Sequence, residues 1–155
     1  MAHLVVRKAK VQDVGVIHGL LMDSARAEEL LPRSLSQLYS HVREFYVVVD
    51  QDNGDVRGCC ALSITWNDLA EVRSLVVDPD LRRQGLGRKL VEACLSEAVT
   101  LGLYRVFTLT YQVDFFSKLG FSEVAKDVLP QKVWADCVNC PKFPDCDEHA
   151  MLLDM

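Results

Sequence analysis

Residues 81–88 (LRRQGLGR) join a predicted strand to the longest predicted helix of this chain, and they place two glycines and three arginines in one loop. A helix N-terminus offers unpaired backbone N–H groups and the positive end of the helix dipole, so such a loop favours an anion. Glycine lets the backbone approach a ligand closely, and arginine side chains match phosphate oxygens. The loop therefore predicts a pyrophosphate site. From the loop alone, a glycine turn with solvated arginines stays an open alternative.

Two common phosphate-binding patterns do not fit these residues. A Walker loop has Lys-Ser or Lys-Thr directly after its last glycine, whereas Gly87 is followed by Arg88 and Lys89. A dinucleotide-binding fingerprint needs a third glycine, and this chain has Leu90 at that place. In each pattern the missing residue is one that the binding mechanism requires, so neither pattern is present.

Strands and helices alternate along the chain. Strands are predicted at residues 4–7, 46–50, 56–64, 69–77 and 106–110, and after the Gly-Phe pair at 120–121. Helices are predicted from Val11, from an N-cap at Ser34 with Gln37 as its capping-box partner, after the glycine loop, and at residues 113–119. The second helix has Leu35, Leu38 and Val42 as its apolar face, and the third has an apolar face from Leu90 to Leu101, before Gly102.

This order predicts the fold class. It is typical of an α/β or α+β domain with a mixed central sheet and helices on both faces, spanning residues 1–155 as one domain. The composition is that of a soluble globular protein, 50% hydrophobic and 25% charged, and the formal net charge of −5 argues against a nucleic-acid partner. We expect no membrane association and a cytoplasmic location, because no apolar run could span a bilayer and the start MAHLVVRKAK lacks a secretory leader.

The six cysteines fall into two groups. Cys59, Cys60 and Cys94 lie in apolar stretches, where a free cysteine acts as a small buried hydrophobe. The other three form a C-terminal loop, residues 137–149, with the pattern C-x₂-C-x₅-C-x₂-H. Tetrahedral zinc takes such ligands, so a structural zinc ion is predicted on Cys137, Cys140, Cys146 and His149, with redox-active or surface thiols as the alternative.

The segment Glu71 to Ala98 (EVRSLVVDPDLRRQGLGRKLVEACLSEA) resembles the central motif of the GNAT superfamily of N-acetyltransferases. Arg82, Gly85 and Gly87 match the family's Arg/Gln-x-x-Gly-x-Gly/Ala loop, and residues 114–121 (DFFSKLGF) resemble its later helix and Gly-Phe turn. The resemblance implies the GNAT fold and acetyl-CoA as co-substrate. It implies that the loop amides hold the CoA pyrophosphate and that the strand before it pairs with the pantetheine arm. The implied cofactor-binding residues are Leu75, Val76, Val77, Arg82, Arg83, Gln84, Gly85, Leu86, Gly87, Arg88 and Phe116.

Phe116 stands where many family members have a tyrosine that protonates the leaving thiolate. Phenylalanine cannot do this, so Tyr111 or water is a candidate for the role, or the thiolate leaves unaided. Short bacterial N-acetylglutamate synthases also tend to carry a non-tyrosine there, and residues 30–34 (LLPRS), 70–79 (AEVRSLVVDP) and 129–132 (LPQK) resemble segments of those enzymes.

This closer resemblance implies an amino-acid substrate. Arg33 would bind its α-carboxylate, and Arg73 and Lys132 would bind its side chain, whereas a solvated Arg33 is the alternative. Glu71 is a candidate general base toward the substrate ammonium, or a structural partner of Arg73 or Arg57. We expect acetylation of L-glutamate for arginine biosynthesis. Glutamine, another amine (an antibiotic, a polyamine or a protein N-terminus) and a non-catalytic acetyl-CoA sensor are the alternatives, and the sequence leaves a homodimer open.

Overall fold

The computed structural model describes residues 3–26, 34–81, 84–130 and 148–155. Within them, hydrogen-bonded strands follow the order β1-β2-β3-β4-β5-β7-β6 in one seven-stranded mixed sheet. The strands are β1 (Leu4–Lys8), β2 (Phe45–Asp50), β3 (Val56–Trp66), β4 (Leu69–Val77), β5 (Arg105–Thr110), β6 (Ser122–Val124) and β7 (His149–Asp154). The helices are α1 (Val14–Arg26), α2 (Leu35–Ser40), α3 (Leu86–Thr100) and α4 (Val113–Lys118). The predicted α/β class with a mixed sheet is confirmed.

The chain divides into two compact units, of which the first comprises Met1–Leu62 and Val72–Glu97. In this unit β1, β2 and β3 are consecutive antiparallel neighbours. The predicted turn between β2 and β3 is present, because Asp50 accepts a hydrogen bond from the Gly54 N–H at 2.7 Å and Gly54 has a φ of +79°. A register shift between Val48 and Val49 marks a bulge in this hairpin.

Helices cover both faces of the first unit's strands. Side chains of α1 and α2 pack in one buried cluster with alternate residues of β2 and β3 and with Val76 of β4. The cluster consists of Val14, Ile17, Leu21, Leu38, Phe45, Val47, Val49, Val56, Cys59, Ala61 and Val76. On the other face, Cys60 contacts Cys94 of α3, and Lys8 pairs with Glu97 of α3 at 3.2 Å. Side chains alternate between the two faces along β3, so the neighbouring Cys59 and Cys60 pack against different helices.

The predicted capping box of α2 is confirmed. Ser34 Oγ accepts from the Gln37 N–H at 3.1 Å, and Gln37 Oε1 accepts from the Ser34 N–H at 2.9 Å. The predicted apolar face is only partly right, because Leu38 is buried whereas Leu35 is 44% exposed. The helix ends at Ser40, so Val42 lies in the short 3₁₀ turn that follows it.

The second unit comprises Ser63–Glu71 and Ala98–Met155. Here the beginning of β4 pairs in parallel with β5, with Ala70 opposite Val106 and Glu71 opposite Phe107. Strand β7 lies between β5 and β6 and is antiparallel to both. This unit has its own buried cluster, formed by Leu69, Phe107, Leu129 and Ala150.

Two expectations need correction in this unit. The sequence analysis did not predict β7, which begins at His149, the residue assigned there to a metal site. It also placed Leu101 on the apolar face of the third helix, but α3 ends at Thr100 and Leu101 is 52% exposed. Gly102, with a φ of +83°, terminates the helix as predicted, and the chain turns before Leu101 could continue the buried face.

Candidate functional site

The last part of β4 belongs to the first unit and contains a backbone irregularity. Ser74 has a φ of +58°, in the left-handed region, directly before Leu75–Val77. A non-glycine residue in this region is uncommon and locally disrupts the regular strand geometry. Val76 is buried in the core of the unit, whereas Leu75 and Val77 are half-buried. The predicted pantetheine-binding residues therefore form the last part of β4, directly after the left-handed residue Ser74, and Val76 anchors them in the core.

Gly58 of β3 allows this segment to lie close to its neighbour. A methyl group at Gly58 would lie 2.9 Å from the Val76 carbonyl oxygen, 2.9 Å from Val48 Cγ1 and 3.3 Å from Val77 Cα. Two of these three atoms belong to the backbone of β4, so only glycine fits at this position without displacing the strand. The sequence analysis did not single out Gly58, although an isolated glycine inside a strand often marks such a close approach.

Asp78 stabilises the turn that leads from β4 toward the glycine loop. Its carbonyl accepts from the Leu81 N–H at 2.9 Å, and its Oδ1 accepts from the Asp80 N–H at 2.9 Å. Its Oδ2 accepts from Arg57 Nε at 3.0 Å. The Asp80 amide, together with Arg57, lowers the pKa of the Asp78 carboxyl. The turn is thus held by a carboxylate that stays ionised.

The N-terminus of α3 lies at the predicted pyrophosphate loop. Gly85 has a φ of +75°, and its carbonyl accepts from the Lys89 N–H at 3.1 Å, so it stands immediately outside the helix. The buried Leu86 anchors the first turn, which contains no acidic residue. Because the first amides of a helix have no partner four residues earlier, those of Leu86, Gly87 and Arg88 can donate to an anion.

The charged and polar side chains of the predicted pyrophosphate loop are only partly described. Arg82 and Arg83 lie outside the described residues. Gln84 is exposed, and Arg88 is 62% exposed and pairs with Glu92 of the same helix at 3.6 Å. Such an exposed ion pair contributes little to stability, so Arg88 could readily exchange Glu92 for a phosphate.

The candidate catalytic residues belong to the second unit. Glu71 is half-buried and lies opposite Phe107 of β5, and the half-buried Tyr111 follows the end of β5. Glu71 thus pairs with the middle of β5, whereas Tyr111 follows the end of that strand.

Phe116 is 3% exposed on α4 and makes edge-to-face contacts with two other rings. Its ring centroid lies 5.0 Å from that of Phe115 and 5.2 Å from that of Phe121. This packing explains an apolar ring at a position where the resemblance led us to expect a tyrosine in many relatives. Its contact with a cofactor stays a prediction.

The remaining predicted residues are only partly described. Arg73 lies on β4, half-buried, and its carbonyl accepts from Cys60 Sγ at 3.7 Å. Arg33 and Lys132 lie outside the described residues, as do Cys137, Cys140 and Cys146. His149 is at the start of β7, and its Nδ1 lies 2.5 Å from Glu123 Oε2 on β6. Within the described ranges, no group of three metal-binding side chains is present.

An open cavity of about 620 Å³ lies in the first unit, beside Asp78. Its charged lining includes Asp13, which pairs with Arg7 at 2.7 Å, and Asp78, which pairs with Arg57 at 3.0 Å. In each of these two ion pairs, the arginine largely neutralises the charge of the aspartate. The cavity lining contains none of the predicted site residues.

Comparison with known proteins identifies the family of this chain. The profile described as "Acetyltransferase (GNAT) family" matches residues 14–121. The chain belongs to the GNAT acetyltransferase family. It is therefore an acetyl-CoA-dependent N-acetyltransferase, and the predicted family, fold and enzyme class are confirmed. In the residues with a described position, no helix has the length and apolar character needed to cross a membrane.

Relatives with similar sequences carry related names. An uncharacterized N-acetyltransferase of Chlorobaculum tepidum is 40% identical over 95% of this chain and 94% of its own length. An amino-acid acetyltransferase of Mycobacterium tuberculosis is 41% identical over 77% of this GNAT chain and 69% of its own length.

Solved structures extend the comparison. A Mycobacterium tuberculosis protein in complex with CoA and a second ligand has a TM-score of 0.83, at 34% identity, over 97% of this chain and 99% of that one. An N-acetylglutamate synthase of Neisseria gonorrhoeae, complexed with coenzyme A and N-acetyl-glutamate, has a TM-score of 0.86 at 25% identity. The match covers 99% of this GNAT chain but 35% of that synthase, so this chain is similar to one part of a longer enzyme.

Proposed function

We propose that this GNAT enzyme transfers the acetyl group of acetyl-CoA to the α-amine of an amino acid, with L-glutamate as the substrate and arginine biosynthesis as the context. The observation that carries the proposal is the left-handed residue Ser74 near the end of β4, followed by a turn held by Asp78 and an α-helix whose first amides are available to an anion. We treat residues 1–155 as one catalytic domain with residues 137–149 as a cysteine-rich loop.

The cofactor would bind along the first unit. The amides of Leu86, Gly87 and Arg88 would donate to the pyrophosphate, and Arg82 and Arg83 would add positive charge that matches its oxygens. The backbone of residues 75–77 would pair with the pantetheine arm. One of its N–H groups would donate to the thioester carbonyl oxygen and stabilise the negative charge that develops there.

The chemistry then needs two proton transfers. The substrate ammonium loses a proton, which we assign to Glu71 directly or through water, and the free amine attacks the thioester carbon. The tetrahedral intermediate collapses with cleavage of the C–S bond, and the departing thiolate takes up a proton, for which we propose Tyr111. The buried Phe116 has no proton to give, so Tyr111 is our candidate for the acid, and water or an unassisted thiolate is the alternative.

The choice of amino acid depends on local cations. The formal net charge of −5 provides no long-range attraction for glutamate, so Arg33 would bind the α-carboxylate and Arg73 and Lys132 the side chain. Support comes from the relative named amino-acid acetyltransferase and from the similar synthase complexed with coenzyme A and N-acetyl-glutamate. Glutamine is the second candidate, because one cation gained or lost would distinguish the two substrates.

The test follows thiol release from acetyl-CoA with glutamate, glutamine and a panel of other amines. We expect glutamate to give the highest kcat/KM. Substitution Arg33→Ala should raise the KM for glutamate about tenfold to a hundredfold, because a charge-assisted bidentate contact is lost. The matched control is Arg43→Ala, an exposed arginine of the first unit. Equal glutamate KM values in both variants would reject the carboxylate role. CoA binding without thiol release on any amine would favour a non-catalytic sensor.

A structural zinc ion is a separate proposal for the cysteine-rich loop. Zinc-binding histidines commonly donate their second ring N–H to a carboxylate, and Glu123 lies in that position beside His149 Nδ1. This leaves His149 Nε2 to bind the ion together with Cys137, Cys140 and Cys146. Native mass spectrometry of protein made with added zinc should give one bound ion, removed by a chelator and absent in Cys137→Ser. A mass equal to that of the bare chain would refute the site.

The location we propose is the cytoplasm, where Cys59, Cys60 and Cys94 would remain the free thiols that the structure has. A homodimer is compatible with this function, and light scattering during size-exclusion chromatography decides the oligomeric state.

A further inference from the structure

Two buried cysteines contact the irregular part of β4. Among the residues that the structure describes, Ser74 is the one non-glycine residue with a positive φ, +58°. Such a conformation is strained for an L-residue and persists only where the surroundings hold it. The question is what holds it inside a strand.

The two thiols lie on successive residues of β3 and donate to successive carbonyls of β4. Cys59 Sγ donates to the Ser74 carbonyl at 3.4 Å, and Cys60 Sγ donates to the Arg73 carbonyl at 3.7 Å. Neighbouring strand residues point to opposite faces of a sheet. Cys59 accordingly belongs to the core beneath α1 and α2, whereas Cys60 contacts Cys94 of α3. The backbone at Arg73 and Ser74 is thus held from both faces.

Both cysteines can serve as lasting donors. Each is 0% exposed, so bulk water does not compete for the thiol. The neighbouring Cys94 thiol and burial raise the pKa of the Cys60 thiol well above its usual range, so Cys60 keeps its single proton, which the Arg73 carbonyl and Cys94 Sγ share. A protonated thiol is a weak but real donor, and two of them act here within one residue of the strained position.

We propose that Cys59 and Cys60 are positioning residues, which hold the left-handed conformation of Ser74 and thereby set the direction of the backbone amides of residues 75–77. The inference rests on the proposed function, in which those amides bind the pantetheine arm and the thioester carbonyl. A bulge re-aims the groups that follow it, so loss of the thiols would turn these amides away from the cofactor without touching it directly.

The experiment compares Cys59→Ala and Cys60→Ala with Cys59→Ser and Cys60→Ser, which keep a donor at each position. Cys94→Ala is the matched control, because it removes a buried thiol that contacts Cys60 and leaves both carbonyls their donors, Cys59 and Cys60. Two quantities are measured: amide hydrogen exchange of residues 72–78 in the protein without ligand, and the Kd for CoA by calorimetry.

We expect each alanine variant to exchange about threefold faster in this segment and to bind CoA about threefold more weakly, as loss of a weak hydrogen bond implies. The serine variants should recover part of both changes, and Cys94→Ala should leave both unchanged. Alanine variants that match Cys94→Ala would overturn the inference. Equal losses in serine and alanine variants would assign the effect to packing and overturn it as well.

The two proposals fail differently. If the unmodified protein does not bind CoA, the proposed function fails, while the exchange rates still report whether the thiols hold the segment. If CoA binds normally and the exchange rates do not respond, only the positioning role fails.

Discussion

Substitution Gly58→Ala tests whether the close approach of β3 and β4 shapes the cofactor-binding segment. The added methyl group would lie 2.9 Å from the Val76 carbonyl oxygen, half an ångström short of the 3.4 Å at which ordinary contact begins. It would lie equally close to Val48 Cγ1, and Val48 is fully buried. Relief must therefore come from movement of β4, since the facing atom is backbone.

The magnitude follows from overpacking. Forcing an extra methyl group into a packed core costs typically about 1–3 kcal/mol, so we expect a loss of about 2 kcal/mol in the free energy of unfolding. For a domain of this size that corresponds to a decrease in Tm of about 4–8 °C. A 1 Å misplacement of a binding group can cost about a hundredfold in rate, so half of that predicts a decrease of about tenfold in kcat/KM for acetyl-CoA.

The assay combines urea unfolding with initial rates of thiol release. Gly54→Ala is the control, because it also adds a methyl group to a glycine, but nothing lies within 4 Å of that methyl group. Gly54 has a φ of +79°, so the substitution strains the backbone without a steric clash. It should lose about 1 kcal/mol from backbone strain and keep its kcat/KM for acetyl-CoA. A Gly58→Ala enzyme that is as stable as the unmodified protein, with unchanged kcat/KM, would refute the reasoning.

Gly19→Ala should stabilise the protein by about 0.5–1 kcal/mol in urea unfolding, because Gly19 lies inside α1 with nothing within 4 Å of a methyl group; a loss of stability would contradict this. Asp78→Ala should cost about 1–2 kcal/mol and Asp78→Asn less, since asparagine keeps an acceptor for the Asp80 N–H; equal losses would show that the Arg57 charge pair dominates. Burial alone would raise the pKa of Asp13, but the Arg7 side chain and the Lys10 amide outweigh it and lower that pKa. The contribution of Asp13 to stability is thus present above its unfolded pKa of about 3.9 and is lost as the pH falls through the lower folded value. An Asp13→Asn variant should show a shallower decrease of Tm in that acid range, and parallel curves would reject the assignment.

The sequence predicted well what depends on neighbours in the chain. Ser34 and Gln37 form their capping box within one helical turn, and Gly102 ends α3 through its own φ. The turn at Gly85 and the helix that begins at Leu86 were likewise predicted, because a glycine pair and a helix start are local features. Cys59 and Cys60 were correctly predicted to be buried.

Long-range placement was not accessible from the residues alone. The strand β7 was missed because its apolar centre, Ala150 to Leu153, follows a cysteine-rich stretch that suggested a metal-binding loop. Nothing in a serine within a strand-forming run indicates a left-handed residue, so the conformation of Ser74 was missed. The hydrogen bonds of Cys59 and Cys60 depend on how β3 and β4 pair, and the exposure of Leu101 depends on where α3 stops.

The position of β7 between β5 and β6 has a consequence for synthesis of the protein. Thr110 pairs with His149, so 38 residues separate the end of β5 from its antiparallel neighbour. At translation rates of about 5–20 residues per second, the nascent chain waits roughly 2–8 s before that neighbour is made. During this interval the edge of β5 lacks its partner strand and can pair with other nascent chains. Chaperones can bind the chain in the same interval. Slow codons in this stretch would therefore increase aggregation of the newborn enzyme without altering a single residue.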